Sequence, residues 1–193
     1  MHGIQELTFK GPSVPSELLL NGHHAFPLAV NAQDQVIIAA SCYGLGRIVV
    51  LGHEVYLQDF PDLVKNALGW LQPPSGRAKV GVHPSSKAIV GNLSSVDAEV
   101  CQFRSDLGVY VADAYSVGPF DEDLVSFLKE GGGLLIAGQA WHWSHTHPGE
   151  KVLLNFPGNQ VCGVAGIYLT EHYGKHGEIL VPQKLPLRGS LRL

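Results

Sequence analysis

The chain has 193 residues, 45% hydrophobic and 16% charged, a composition that excludes disorder through weak hydrophobicity over most of its length. Its 13 basic and 17 acidic side chains leave a formal net charge of -4, so no broad positive field exists for nucleic-acid binding, and DNA and RNA are not expected partners. The length suits one domain with a sizeable core.

In chain order, residues 16 to 52 read as short strands: SELLLNG, FPLAVN, QVIIAAS and RIVVLG, each rich in branched apolar side chains and bounded by turn formers. NAQDQ and CYGLG are the expected hairpin turns, the second using Gly44 and Gly46 where positive φ is wanted, so the sheet begins antiparallel. After GHEVYLQ the pattern turns helical. Asp59 is the expected cap, Pro61 suits an early helical position, and Leu63, Val64, Ala67, Leu68 and Leu71 fall on one face before PPSG ends the segment.

From residue 78 the units alternate. AKVGVH reads as a buried strand, SSKAIVGNL as a short helix, AEVCQF as an edge strand and LGVYVADA as a central one. Asp121 is the expected cap of the helix DEDLVSFLKE, which has acids in its first turn and Lys129 near its end; GGG closes it, and GLLIAG follows as a further strand. This rhythm predicts an α/β fold with a mostly parallel sheet, helices on both faces and antiparallel hairpins in front. The expected organisation is one module over residues 1–181, hairpin-rich over 1–58 and alternating over 59–181. The stretch 182–193 reads as a basic tail or truncated linker.

Cys42, Cys101 and Cys162 are odd in number and far apart, which fits neither a disulfide framework nor paired zinc ligands and points to a reducing, cytoplasmic setting. No secretory pattern opens the sequence, and no apolar run approaches the ~20 residues that cross a bilayer, so membrane contact is expected only through a partner.

The strand GLLIAG is followed by QAWHWSHTHPG, at the sheet end where α/β folds bind ligands and where a nucleophile elbow would stand. The elbow positions hold Gln139 and Ala140, an amide and a methyl that cannot form an acyl intermediate, and Ser144 lies beyond the turn. His142, His145 and His147 could converge on a metal, but their offsets of three and two do not match the i, i+4 spacing of a helical zinc pair. The other reading is a loop anchored by Trp141 and Trp143, with the histidines facing water or capping backbone groups. HEVYL lacks the second histidine of the zinc-protease motif, because Leu57 stands in its place; His53 and Glu54 are then strand-end residues that could line the cleft. His172 and His176 are an i, i+4 pair, but Gly174 and Gly177 argue against a helix there. Asp113 and the acids at 121 to 123 are explained by a strand end and a helix start.

Several blocks in order, ELLLNGHHAFPLAVN, IIAASCYGLGRIVVLGHE, LVKNALGWL, KVGVHPS, GVYVADAYS, GGGLLIAGQAW and LLNFPGNQVCGVAGIYLT, resemble the TRP channel-associated factors from about residue 3 to residue 187. GGGLLIAGQAW followed by FPGN is the most specific part. The resemblance implies a module similar to class I glutamine amidotransferases, a flavodoxin-like sheet, without their catalytic cysteine. It also implies a regulator that binds a melastatin-type, cold-sensing TRP channel and influences its delivery to the plasma membrane and its gating. Longer members carry a second module and a metallopeptidase-like carboxy-terminal domain, and these 193 residues are expected to lack that peptidase-like region.

The expectation is therefore a non-enzymatic, cofactor-free module, cytoplasmic and peripheral at the plasma membrane through a TRP-type cation channel. The binding candidates are Trp141, His142, Trp143, His145, His53 and Glu54. Two alternatives stand beside it: a metal-dependent or amidase-like hydrolase built on His53, Glu54, His142 and His145, and a shortened form that keeps only a structural module.

Overall fold

The computed structural model describes residues 4, 6–8, 12–73, 78–93, 96–175 and 177–181. The chain opens with β1 (Glu6–Thr8) and β2 (Ser16–Leu20), then β3 (Phe26–Asn31), β4 (Val36–Tyr43) and β5 (Gly46–Leu51). β3–β4 and β4–β5 are antiparallel hairpins at the two expected turns. Asp34 takes φ 59° in the first and Gly44 φ 58° in the second, but Gly46 is not a positive-φ residue. It is needed for space, since a Cβ there would lie 2.0 Å from the Leu128 carbonyl oxygen.

Two helices follow, α1 (Tyr56–Asp59) and α2 (Pro61–Leu71). Phe60 is the N-cap of α2, so Asp59 does not cap it but closes the turn before, and Pro61 sits where its missing N–H has no helical partner to lose. Leu63, Val64, Ala67, Leu68 and Leu71 form its buried face, as their spacing requires. Next come β6 (Val80–Val82), a 3-10 stretch (Pro84–Leu93) in place of the expected short helix, β7 (Ala98–Val100), β8 (Val109–Asp113), α3 (Asp121–Glu130) and β9 (Gly133–Ala137). Phe120 is the N-cap of α3 and Asp121 its first helical residue, whose carboxylate accepts the Glu122 N–H at 2.7 Å. Gly131, at φ 118°, ends the helix, and Gly132 N–H returns to the Phe127 carbonyl at 2.9 Å.

The stretch after β9, expected as a loop, is helix α4 (Ala140–Thr146); α5 (Val152–Asn155), α6 (Pro157–Cys162), β10 (Ile167–Tyr173) and β11 (Glu178–Leu180) complete the order. His172 lies on β10, while His176 and the tail from residue 182 fall outside the described residues.

The main sheet has nine strands in the order β1-β11-β3-β4-β5-β9-β8-β6-β7. It is parallel from β5 to β7 and antiparallel from β1 to β5. Successive residues of the central strands enter opposite cores. Val49, Leu51, Val111 and Leu135 pack with Leu63, Leu68 and Ile89 on one face. Ile48, Val50, Tyr110 and Ile136 pack with Leu124, Leu128 and Trp143 on the other. Burial on both faces is why these strands read as continuous apolar runs.

β2 departs from the expected series of hairpins. It pairs antiparallel with β10, Leu18 opposite Leu169, in a separate two-stranded sheet. Leu18, Ile167 and Leu169 carry that sheet onto the α3 face of the main one.

The connections place a switch point. β6 leads to β7 through the 3-10 stretch on the α2 face, because Ile89 and Leu93 join that core, while β8 leads to β9 through α3 on the opposite face. The neighbouring parallel strands β6 and β8 thus send their following loops to opposite sides, and a crevice opens between them.

Candidate functional site

β9 ends at Ala137, and Gln139 adopts φ -125° and ψ 97° before Ala140 starts α4. This strand–turn–helix junction is where an elbow nucleophile would stand, but the backbone is extended and relaxed, and the side chain is an amide. Gln139 Nε2 donates to Glu54 Oε1 at 2.7 Å, and the Gln139 carbonyl accepts the Tyr115 hydroxyl at 2.8 Å. The hydroxyl of Ser144, one turn along α4, donates to the Trp141 carbonyl at 2.7 Å.

Beside this junction lies a cleft of about 270 Å³ lined by Glu54, Ser85, Asp113, Tyr115 and Ser116 over an apolar flank of Val55, Leu57 and Ile89. Asp113, at the carboxyl end of β8 and only 7% exposed, organises it. Its Oδ1 accepts the backbone N–H groups of Tyr115 at 2.9 Å and Ser116 at 3.0 Å; its Oδ2 accepts the hydroxyl of Ser116 at 2.8 Å and that of Ser85. His83, just past β6, brings Nδ1 to 2.6 Å from Ser85 Oγ. The order is imidazole, hydroxyl, carboxylate. In a hydrolase triad the imidazole stands in the middle, oriented by the carboxylate and ready to take the hydroxyl proton; here that proton faces Asp113. Burial first, and then the neighbouring Glu54 and Asp113 carboxylates, push the Tyr115 phenol up from its ordinary value, so it stays a donor to Gln139.

His53 is buried, its ring tilted by 35° against Tyr56 with centroids 5.3 Å apart, and its Nδ1 accepts the Val55 N–H at 3.1 Å. Glu54 is half-buried, with Oε2 3.5 Å from His53 Nδ1.

Helix α4 distributes the other candidates. Trp143 points inward, buried in the α3-face core, and packs on Phe156 with centroids 5.7 Å apart. Trp141 is half-buried; its Nε1–H donates to the Val14 carbonyl at 2.8 Å, which fixes the ring against the segment entering β2. Tyr173 lies over it at 4.9 Å between centroids, and His142 and His145 each stand 5.6 Å from it. His142 also meets the Tyr115 ring at 6.4 Å, so the aromatic face continues into the cleft.

The histidines of α4 and its C-cap, His142, His145 and His147, are drawn apart. His142 turns to Tyr115, His145 Nε2 contacts the Tyr173 hydroxyl at 3.2 Å, and His147 stacks on Trp143 at 4.2 Å while its Nδ1–H donates to the Trp143 carbonyl. Among the described residues, no group of three or more His, Cys, Asp or Glu side chains is placed to hold a metal ion.

Sequence reading missed Ser85, Ser116 and the hub role of Asp113. The available signal was positional: KVGVHPS and VYVADAYS both run past the carboxyl end of a strand, where α/β crevices form.

Fold and site together define a mixed α/β module, helices on both faces of its sheet, whose strand–helix turn carries an amide bonded to a carboxylate. A family model described as "TRPM8, N-terminal domain" (TCAF_N) matches residues 1–154 and 147–190. A zebrafish (Danio rerio) TRPM8 channel-associated factor homolog is 52% identical over 189 residues, covering 96% of this chain and 21% of that protein. Human TRPM8 channel-associated factor 2 is 47% identical, covering 92% of this chain and 20% of that protein, and human factor 1 is 46% identical, covering 96% and 20%. The chain belongs to the TRPM8 channel-associated factor family. It spans about a fifth of the length of these relatives. Among solved structures, the IMPa metallopeptidase from Pseudomonas aeruginosa superposes with a TM-score of 0.62 at 16% identity, covering 90% of this chain and 21% of that one; the likeness is one of fold.

Proposed function

We propose that this chain, as a module over residues 1–181, is a non-catalytic recognition unit that binds a melastatin-type TRP channel from the cytoplasmic side. Through that binding it influences the channel's delivery to the plasma membrane and its activity. Family membership and the relatives' names support the partner. The observation that most favours recognition over catalysis is the Gln139–Glu54 hydrogen bond at the junction where a related hydrolase or amidotransferase would present its nucleophile. An amidotransferase-like ancestry that lost its thiol accounts for that junction. The proposed binding face is Trp141, His142 and His145 on α4, continuing to Glu54, with His53 and Trp143 holding it from beneath. A rigid aromatic already fixed by a hydrogen bond loses little entropy on binding and suits an interface anchor. Among the described residues no helix is long and apolar enough to cross a membrane, in keeping with association through a partner.

Co-precipitation from cells expressing TRPM8 tests this. The chain and the full-length human factor are both expected to retain the channel under the same conditions; retention by the full-length factor alone would overturn the proposal.

A further inference from the structure

We infer that Asn21 is a site of spontaneous deamidation, at which the side-chain amide becomes a carboxylate through a cyclic imide closed by the Gly22 nitrogen. The reaction does not depend on channel binding and holds for the isolated chain.

The neighbouring residue is the first reason. A backbone nitrogen reaches the preceding carboxamide only where its own residue lets it approach, and glycine, without a side chain, obstructs that approach least. Of the six asparagines in the chain, at 21, 31, 66, 92, 155 and 159, only Asn21 precedes a glycine.

The surroundings are the second. Asn21 and Gly22 stand exposed just past β2, where the chain turns toward β3, and a Cβ added to Gly22, at φ 83°, would meet no atom within 4 Å. Among the described residues the Asn21 carboxamide makes no hydrogen bond. The other asparagines are held. Asn31 Nδ2 donates to Gln35 Oε1 at 2.8 Å, Asn92 Nδ2 to the Gln58 carbonyl at 3.2 Å and Asn155 Nδ2 to Glu150, while Asn159 is buried in its network and Asn66 is fixed within α2. A bonded carboxamide must give up those bonds before it can swing onto the following nitrogen.

The chemistry needs only water. The Gly22 nitrogen, its proton passed to solvent hydroxide, bonds to Asn21 Cγ; the Cγ–Nδ2 bond breaks and ammonia leaves. Water then opens the imide. Opening at Cγ gives aspartate, and opening at the main-chain carbonyl gives isoaspartate, in which the chain runs on through Cβ and Cγ. Water is consumed, ammonia is released, and nothing is oxidised or reduced.

The position gives the change a consequence. The Asn21 N–H donates to the Gly166 carbonyl at 2.8 Å and closes the β2–β10 ribbon. The methylene that isoaspartate inserts lies after that nitrogen, so the ribbon keeps its register, while the turn leading to Ala25, buried at 1% exposure in the α3-face core, is lengthened. The aspartyl form is therefore expected to keep the native urea midpoint and the isoaspartyl form to unfold at lower urea.

Incubation of the purified chain at physiological pH and temperature, in water enriched in heavy oxygen, tests the site. Peptide mapping with fragmentation is expected to show amide-to-acid conversion at residue 21, carrying a single heavy oxygen in two separable products, at least about tenfold faster than at any other asparagine. The rate is expected to rise at mildly alkaline pH, because the attacking nitrogen must lose its proton. Asn21→Gln keeps an amide but must close a larger ring, and is expected to slow conversion at this position at least about tenfold. Conversion at residue 21 no faster than at the other asparagines, conversion only after unfolding in urea, or an equal rate in Asn21→Gln would overturn the inference.

Discussion

Asn159 shows how one side chain can secure several elements. Buried at 4% exposure on α6, it donates through Nδ2 to the carbonyls of Val152 (3.1 Å) and Leu169 (2.9 Å) and accepts the Leu169 N–H at 2.8 Å. It thereby joins α5, α6 and β10, and it explains the FPGN block: Phe156 fills the core, Pro157 starts the helix, and Asn159 satisfies a strand's backbone. Asn159→Ala leaves those buried groups unpaired and is expected to cost about 3 kcal/mol, read as a lowered urea midpoint. A change within about 0.5 kcal/mol would contradict the role given to it. The cysteines give a second expectation. Cys42 is exposed, whereas Cys162 is fully buried and burial pushes its thiol up, so the nucleophilic thiolate is suppressed. Iodoacetamide at mildly alkaline pH should label Cys42 in the native protein and reach Cys162 only after unfolding; early labelling of Cys162 would contradict the core placement. At this scale the sequence told least about Asp113. Its strand-end position was readable, but its partner Ser85 lies on another strand's loop, and their meeting depends on β6 and β8 being neighbours.

Among the elements, α2 and α3 were legible because their apolar faces, acidic first turn and closing glycine are all local signals. α4 was not. Its sequence AWHWSHT has residues of middling helix propensity between a glycine and a proline, and the helix forms because Trp143 is drawn into the core and Trp141 is tied to Val14. β2 was misplaced for a related reason: its partner β10 lies roughly 150 residues away, a distance over which local pattern carries no pairing information. The two tryptophans should separate by substitution. Trp143→Ala opens a cavity under α4 and is expected to cost about 3–5 kcal/mol, seen as a lowered melting temperature. Trp141→Ala is expected to cost less and to weaken channel association in the same co-precipitation; the reverse pattern would exchange the roles of anchor and support.

For the whole molecule, alkaline pH is the weak side. Tyr56, Tyr110, Tyr115 and Cys162 are all pushed up by burial, from ordinary values of 10.0 for the phenols and 9.0 for the thiol. Raised acids stabilise the folded state fully below those ordinary values, and the contribution is lost as pH climbs beyond them, because only the unfolded chain ionises readily. The urea midpoint is therefore expected to hold steady between about pH 6 and 8 and to fall continuously above about pH 9; an unchanged midpoint at about pH 10.5 would contradict the burial of these groups. The central claim concerns recognition rather than stability, and purified components test it most directly. Detergent-solubilised TRPM8 immobilised on a sensor surface should bind the wild-type chain saturably, with an affinity weakened about tenfold or more by Trp141→Ala at unchanged fold. Failure of the wild-type chain to bind, or equal affinity of the two chains, would contradict a recognition module working through the α4 face.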